Sequence, residues 1–242
     1  MSSMPLWHEV RTSGQNEKFR TKFVSDWIRS LGVDDNRVFL DVGAGNMPFR
    51  PQIRAAGFTY LSQDFGQYTG DNQHPGLQAG AGNWTTSGHD ITCDIVDLPE
   101  NTADVILCSE VLEHVPDPLA ALQSISRALN AGGVALVTVP FQSRMHQAPY
   151  WYVSGLSPYW FHHHSPRTGL QVVRVTKVGD FVDQTIQEFG LFASALKLGH
   201  VSQLLLRIIA PLIRKLINKE LLESGGLGVY VQLRKQEEHR QL

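Results

Sequence analysis

Val38-Phe39-Leu40-Asp41-Val42 runs directly into Gly43-Ala44-Gly45. The five residues before the glycines are a short apolar run suited to a parallel strand buried on both faces. Glycines at the end of such a strand let the backbone pass close to a ligand, with the N–H groups of the next helix aimed at it. A dinucleotide site would want a third glycine near position 48, to admit a pyrophosphate, and position 48 is proline. Asp41, two residues before the first glycine, would also repel a pyrophosphate and suits a cationic ligand. The glycine pair alone would be ambiguous with a plain structural turn. The carboxylate beside it sharpens the reading.

Outward from this junction, residues 17–31 place apolar side chains at helical spacing and stop at Gly32. Pro48 and Pro51 fit only the first turn of a short helix ending at Gly57. Phe58–Gln63 reads as a second strand ending at Asp64, Ile91–Ile95 as a third, Ala103–Cys108 as a fourth and Val134–Val139 as a fifth. An amphipathic helix over Leu119–Leu129, closed by Asn130-Ala131-Gly132-Gly133, separates the last two. Strands alternating with helices imply an α/β fold with a mostly parallel sheet and right-handed crossovers. Residues 66–90, rich in Gly, Gln, Asn and Thr, read as a long irregular loop, and loops of that length are usually functional.

Beyond Pro140 the character changes. Residues 141–164 gather aromatics and histidines, Leu170–Val178 alternates like a strand, 184–223 reads as helical with one break at Pro211, and Val229–Leu233 as a closing strand. The chain is therefore expected to be a single domain over 1–242, with its core at about 17–182 and 225–235 and a helical insertion at about 184–223.

Composition bounds the function classes. With 242 residues, 42% hydrophobic and 18% charged, the chain suits one well-buried α/β domain. A net charge of −2 argues against a dedicated nucleic-acid binder. Cys93 and Cys108 sit in apolar stretches and form no CxxC pair, as expected of buried thiols in a reducing cytosol. The first ten residues show no secretory pattern, and no apolar run reaches spanning length, so the expected location is cytoplasmic.

Two more carboxylates stand at strand ends. Asp64 lies 21 residues after Gly43, where a carboxylate can accept both hydroxyls of a ribose. Asp94 is placed to meet an adenine edge, or else caps the turn toward Leu98. With Leu40-Asp41-Val42-Gly43-Ala44-Gly45 and Ser109-Glu110-Val111-Leu112-Glu113-His114-Val115-Pro116-Asp117-Pro118, they make four ordered motifs over about residues 36–140. That combination resembles the class I S-adenosylmethionine (SAM)-dependent methyltransferases, and the type 11 group in particular.

The resemblance implies a Rossmann-like seven-stranded sheet with an antiparallel last strand and SAM across the strand ends. It implies that Gly43 and Gly45 approach the cofactor and that Asp41 faces its methionine end. Asp64 would hold the ribose, Asp94 with Ile95 the adenine, and Phe65 would pack near the adenosine. Ser109 and Glu110 would sit beside the reacting methyl, and His114 would fix the following turn. Two departures from the family pattern, the 66–90 loop and the helices before the last strand, leave the acceptor open.

Methyl transfer asks mainly for alignment, which can supply ~7–11 kcal/mol of a barrier. A base is needed only for a hydroxyl or a protonated amine. The candidates for acceptor-side chemistry lie in 141–164, and His146 and Tyr150 are expected to face the methyl donor, with the 184–223 helices as the far wall. Tyr150, Trp151, Tyr159, Trp160 and Phe161 divide between core and acceptor pocket. His162-His163-His164 is not read as a metal site, because three consecutive side chains cannot converge; no metal is expected. The 201–222 helix carries Leu205, Ile209, Leu212, Ile213 and Leu216 on one side and Arg207, Arg214, Lys215 and Lys219 on the other. It reads as a lid or dimer face, or as a peripheral membrane contact.

The expected function is transfer of a methyl group from SAM to an oxygen or nitrogen of a small molecule or glycan intermediate. The competing readings are a non-catalytic SAM-binding partner subunit and an NAD-dependent oxidoreductase, the latter opposed by Asp41 and Pro48.

Overall fold

The computed structural model describes residues 7–10, 16–68, 87–197 and 201–237, with the side chains of the 201–216 helix from 208 onward. Most of the expected 66–90 loop (69–86) lies outside the described residues, as do the side chains of Leu205 and Arg207.

In chain order the elements are β1 (His8–Val10), α1 (Asn16–Ser30), β2 (Val38–Val42), α2 (Arg50–Ala55), β3 (Thr59–Asp64) and β4 (Ile91–Thr92). They continue with β5 (Ala103–Ser109), α3 (Pro118–Ala128), β6 (Leu129–Pro140), α4 (Pro158–His164) and β7 (Leu170–Val178). The chain then forms α5 (Phe181–Ala195), α6 (Val201–Leu216), α7 (Lys219–Glu223) and β8 (Gly228–Lys235). One sheet results, in the order β1-β7-β8-β6-β5-β2-β3-β4. β8 runs antiparallel to both β6 and β7, and every other pair is parallel.

The antiparallel last strand is as expected, but among the described residues the sheet has eight strands rather than seven. The addition is β1, three residues on the free edge of β7, too short to carry a periodic signal. The expected third strand shrinks to Ile91–Thr92. Asp94 accepts the Val96 N–H at 3.1 Å and turns the chain into a 3-10 turn over Ile95–Asp97, since a capped turn satisfies the N–H that a ladder would have used. Residues 130–133, expected to close the preceding helix, do not do so, because the helix already ends at Ala128. They fall inside β6, where the register jumps between its pairing with Ala103 and with Val105. Pro211 does not break its helix either. Ala210 and Ile213 pack on Val182 and Ile186 across it, and that burial outweighs one lost hydrogen bond.

Alternation along β2 divides the core. Phe39 faces α1 and α2, edge-on to Trp27 and Phe58 at 6.1 and 5.6 Å. Leu40 and Val42 join the opposite layer with Leu122, Ile125 and Phe161 from α3 and α4. Asp41 shares the Phe39 face but lies at the carboxyl end, where the ladder opens. From β2 the chain moves outward to β3 and β4, then returns to β5 on the other side. The carboxyl ends of β2 and β5 are thus a topological switch point, where such sheets leave a crevice.

Candidate active site

A cleft of about 770 Å³ occupies that crevice. Its floor is the glycine turn, held by side chains of β3. Gly43 N–H donates to Gln63 Oε1 at 3.1 Å, and Ala44 N–H to the Gln63 carbonyl at 2.9 Å. Gly45 N–H donates to Asp64 Oδ2 at 3.1 Å, while Asp64 Oδ1 accepts the Gly66 N–H at 3.0 Å. Gly43 has φ +63° and Gly45 φ +48°, the left-handed region costly to other residues. A β-carbon at Gly43 would stand 2.4 Å from Val111 Cγ2. This glycine is therefore required by fold packing.

Asp41 is 4% exposed and accepts one hydrogen bond, from Tyr60 Oη at 2.9 Å. Burial, with the nearby Asp64 charge, lifts its carboxyl to about 7 against the hydrogen bond's opposite pull. A buried carboxylate in that condition gains most from a cation. Asp94 and Ile95 close this end of the cleft, and Phe65 meets Tyr150 edge-on at 5.0 Å.

The other end is built from the turn after β5 and from residues 141–153. Glu110 adopts φ +56°, an uncommon conformation for a non-glycine that clusters at functional turns. Its N–H donates to the Thr138 carbonyl (2.9 Å), its Oε1 accepts from Thr138 Oγ1 (3.1 Å), and its Oε2 pairs with Arg20 of α1 at 3.0 Å. Ser109 Oγ lies 2.9 Å from Thr138 Oγ1. Glu113, one turn further on, is 1% exposed with neither carboxylate oxygen hydrogen-bonded. Burial and the Glu110 charge raise it well above the usual carboxylate range. His114 Nδ1 lies 2.5 Å from the Tyr150 carbonyl, and burial pushes the imidazole down to about 4, so it is neutral. A carbonyl only accepts, so Nδ1 carries the proton and Nε2 a lone pair. The His146 ring stands edge-on to His114 at 4.8 Å, with its own Nδ1 2.9 Å from the Arg144 carbonyl.

All the candidate cofactor and acceptor residues line this one cleft: Asp41, Gly43, Gly45, Asp64, Phe65, Asp94 and Ile95 at one end, Ser109, Glu110, His146 and Tyr150 toward the other. Sequence reasoning missed Arg20, Gln63 and Tyr60, whose roles depend on partners distant in the chain. It quoted Glu113 within a motif without a role; a second carboxylate three residues after Glu110 was the available signal. His114 was expected to fix the following turn; its ring fastens the segment around Tyr150, 36 residues away. Among the aromatics, Phe161 is core, Tyr150 lines the cleft, and Tyr159 is 59% exposed against Trp7.

The far wall differs from expectation. No described residue of α5, α6 or α7 lines the cleft; Glu17, Arg20 and Thr21 of α1 do. The sheet order explains this, because β7 and β8 place those helices beyond β6, away from the switch point. They brace the acceptor-side segment from behind, through Gln184 Nε2 to Gln142 Oε1 at 2.7 Å and Arg144 to Glu188 at 3.4 Å.

Comparison with known proteins agrees with this geometry. A family model described as a methyltransferase domain matches residues 16–175. A stretch of 33 residues is 52% identical to the ubiquinone biosynthesis O-methyltransferase of Vibrio cholerae. The match spans 14% of this chain and 14% of that relative's length. Similar solved structures include a SAM-dependent methyltransferase from Archaeoglobus fulgidus, with TM-score 0.52 and 16% identity over 90% of this chain and 97% of that one. Another is the 1,6-didemethyltoxoflavin-N1-methyltransferase of Burkholderia thailandensis with bound S-adenosylhomocysteine, with TM-score 0.52 and 17% identity over 90% and 79%. A third is the [4+2]-cyclase SpnF, with TM-score 0.54 and 16% identity over 96% and 87%. Identities this low speak for the fold alone, but the family model covers well over half of the sequence. The chain belongs to the methyltransferase-domain family, in the class I SAM-dependent group.

Proposed function

We propose that this protein transfers the methyl group of SAM to an oxygen or nitrogen of a small-molecule acceptor, glycan intermediates included. The observation that carries the reading is the joining of two unlike ends in one cleft. One end has a glycine turn and three carboxylates, and the other has histidines, a buried carboxylate and tyrosines.

The donor end fits the cofactor. Asp41 lacks a cation and would receive the ammonium of the methionine moiety. Asp64 uses one lone pair of each oxygen on the Gly45 and Gly66 N–H groups, leaving acceptor capacity for a ribose diol. Asp94 caps its own turn through Oδ1 and keeps Oδ2 for the adenine edge, beside Ile95. Ser109 and Glu110 border the middle of the cleft. The cofactor, when bound, supplies an activated methyl on a sulfonium. The chain's own residues orient the acceptor against it and exclude water.

At the acceptor end His146 and Tyr150 face the methyl donor and line the acceptor's place in the cleft. The test is to replace His146 with alanine and Tyr150 with phenylalanine and to assay methylation alongside S-adenosylhomocysteine affinity. Reduced turnover with near-normal affinity supports the assignment. Unchanged turnover in both variants moves the site elsewhere. A non-methylating use of the same pocket is the second reading, favoured by the [4+2]-cyclase among the structures sharing the fold. An NAD-dependent oxidoreductase is disfavoured, because Asp41 stands where a pyrophosphate would come.

We further propose a peripheral contact with an anionic lipid surface through α6. Ile208, Leu212 and Leu216 follow one another at helical spacing and are 65, 60 and 79% exposed, while Ala210 and Ile213 pack inward. No acidic residue occurs from 189 to 219, which holds Lys197, Arg207, Arg214, Lys215 and Lys219. Of these, Arg214 is spent on Asp180 and Asp183, and Lys219 pairs with Glu223 at 3.5 Å. An exposed apolar stripe with Lys197 and Lys215 beside it suits a membrane interface. No helix among the described residues is long and apolar enough to cross a membrane.

A further inference from the structure

Glu110 and Glu113 line the same cleft three residues apart, yet their surroundings are opposite. Glu110 is answered by Arg20 and Thr138. Glu113 is 1% exposed and neither of its oxygens has a hydrogen-bond partner. An orphaned buried carboxylate is expensive and calls for an explanation, an ion being one. Two imidazoles stand over it. One ligand-capable atom from each of Glu113, His114 and His146 lies within 4.8 Å of the other two, with His114 Nε2 3.8 Å from Glu113 Oε1. Each imidazole has its Nδ1 against a backbone carbonyl, Tyr150 for His114 and Arg144 for His146. That arrangement fixes the tautomer and leaves Nε2 as the coordinating atom, as in metal-binding histidines.

We propose that Glu113, His114 and His146 hold a divalent ion of the zinc class at the acceptor end of the cleft, and that the acceptor is a hydroxyl compound bound to the ion through that oxygen. Two imidazoles and one carboxylate suit such an ion and leave a coordination position open. Ligand atoms around one zinc stand roughly 3–3.5 Å apart at bond lengths of about 2.0–2.2 Å. The cluster must therefore tighten from separations of up to 4.8 Å, by up to roughly 1.5 Å. The half-buried His146, in the irregular segment after β6, is the member able to move.

The ion's role follows from its charge. It lowers the pKa of a bound hydroxyl, which then loses its proton near neutral pH. The oxygen forms the O–CH₃ bond as the S–CH₃ bond breaks. The bonding pair stays on sulfur, the sulfonium becomes a thioether, and the hydroxyl proton goes to solvent. This inference rests on the methyl-transfer reading and makes it specific to oxygen acceptors. The His162-His163-His164 run, which does not line the cleft, takes no part in it.

The test titrates Co²⁺ into the EDTA-treated full chain without cofactor, followed by calorimetry and by the visible absorption of the bound ion. S-adenosylhomocysteine binding is measured in parallel. Expected are saturable uptake of one ion at this site and a loss of affinity of about tenfold or more in His146→Ala and Glu113→Gln, with S-adenosylhomocysteine bound normally by His146→Ala. Circular dichroism checks folding, and His146→Ala decides alone if Glu113→Gln does not fold. No saturable uptake by the unaltered chain, or uptake unchanged by His146→Ala, as coordination by the His162–His164 run would give, overturns the site. Failure of the unaltered chain to bind S-adenosylhomocysteine would count against the methyl-transfer reading instead, and the Co²⁺ result would still stand on its own.

Discussion

The two ends of the cleft are built in different ways. At the donor end almost every polar group already has a partner. Gln63 and Asp64 of β3 hold three consecutive N–H groups of the glycine turn, and Tyr60 holds Asp41. At the acceptor end a carboxylate is left unpaired and two imidazoles turn a lone pair toward it. The first arrangement is rigid before any ligand arrives. The second is incomplete without one. A shared cofactor needs a preformed seat, whereas an acceptor site stores its specificity in groups that only the right partner satisfies.

The largest effect should come from the rigid end. Gly43→Val forces a side chain into left-handed backbone and against Val111. It should weaken S-adenosylhomocysteine binding by about a hundredfold or more and lower the melting temperature. Calorimetric affinity within tenfold of the parent would show that this turn is no close-approach site. Asp64→Ala comes next. The carboxylate is only 8% exposed and braces two N–H groups, so its loss should cost about 1–3 kcal/mol of stability. Cofactor affinity should also fall by about tenfold or more. Intact affinity in a folded variant would remove Asp64 from the ribose.

The acceptor end should respond in the opposite sense. His146→Ala should slow methylation by about ten- to a hundredfold while S-adenosylhomocysteine affinity stays close to normal. A parallel loss of both would erase the distinction between the two ends. A gentler probe is pH. In the free protein Asp41 is neutral below about pH 7, and binding an ammonium requires it ionised. Cofactor affinity should therefore drop by up to about tenfold per unit below pH 7, with proton release on binding. Asp41→Asn should show neither. Because its folded pKa is raised above the ordinary 3.8, this residue favours the fold at low pH. That contribution is lost as pH rises from about 4 through 7. A flat affinity profile between pH 6 and 8 in the parent would contradict the ammonium assignment.

The smallest effect lies outside the cleft. Replacing Leu212 and Leu216 by aspartate should reduce sedimentation with phosphatidylglycerol vesicles several-fold and leave S-adenosylhomocysteine binding unaltered. Equal binding by parent and variant would show that the α6 stripe does not meet lipid.

The donor end could be read from sequence because its signals are local. Gly43, Gly45, Asp41 and Asp64 sit at strand ends that apolar runs announce, and all of them line the cleft. The two ends of the sheet were less accessible. β1 is three residues long, and β4 two, so neither shows a period; both exist because an already formed neighbour offers free backbone groups. Pro211 misled for a related reason, since packing across α6 overrides a local propensity.

Order along the chain was enough for the parallel sheet, its antiparallel last strand, the glycine turn and the carboxylates around it, because strand periodicity and turn chemistry act between near neighbours. The fold alone could decide that Arg20 from α1 answers Glu110, that Glu113 stays unanswered, and that His146 comes to rest beside His114. Those meetings join residues 32 to 90 positions apart in the chain. They arise only when α1, the turn after β5 and the segment after β6 converge over the same strand ends, and no local preference of any one residue encodes that convergence.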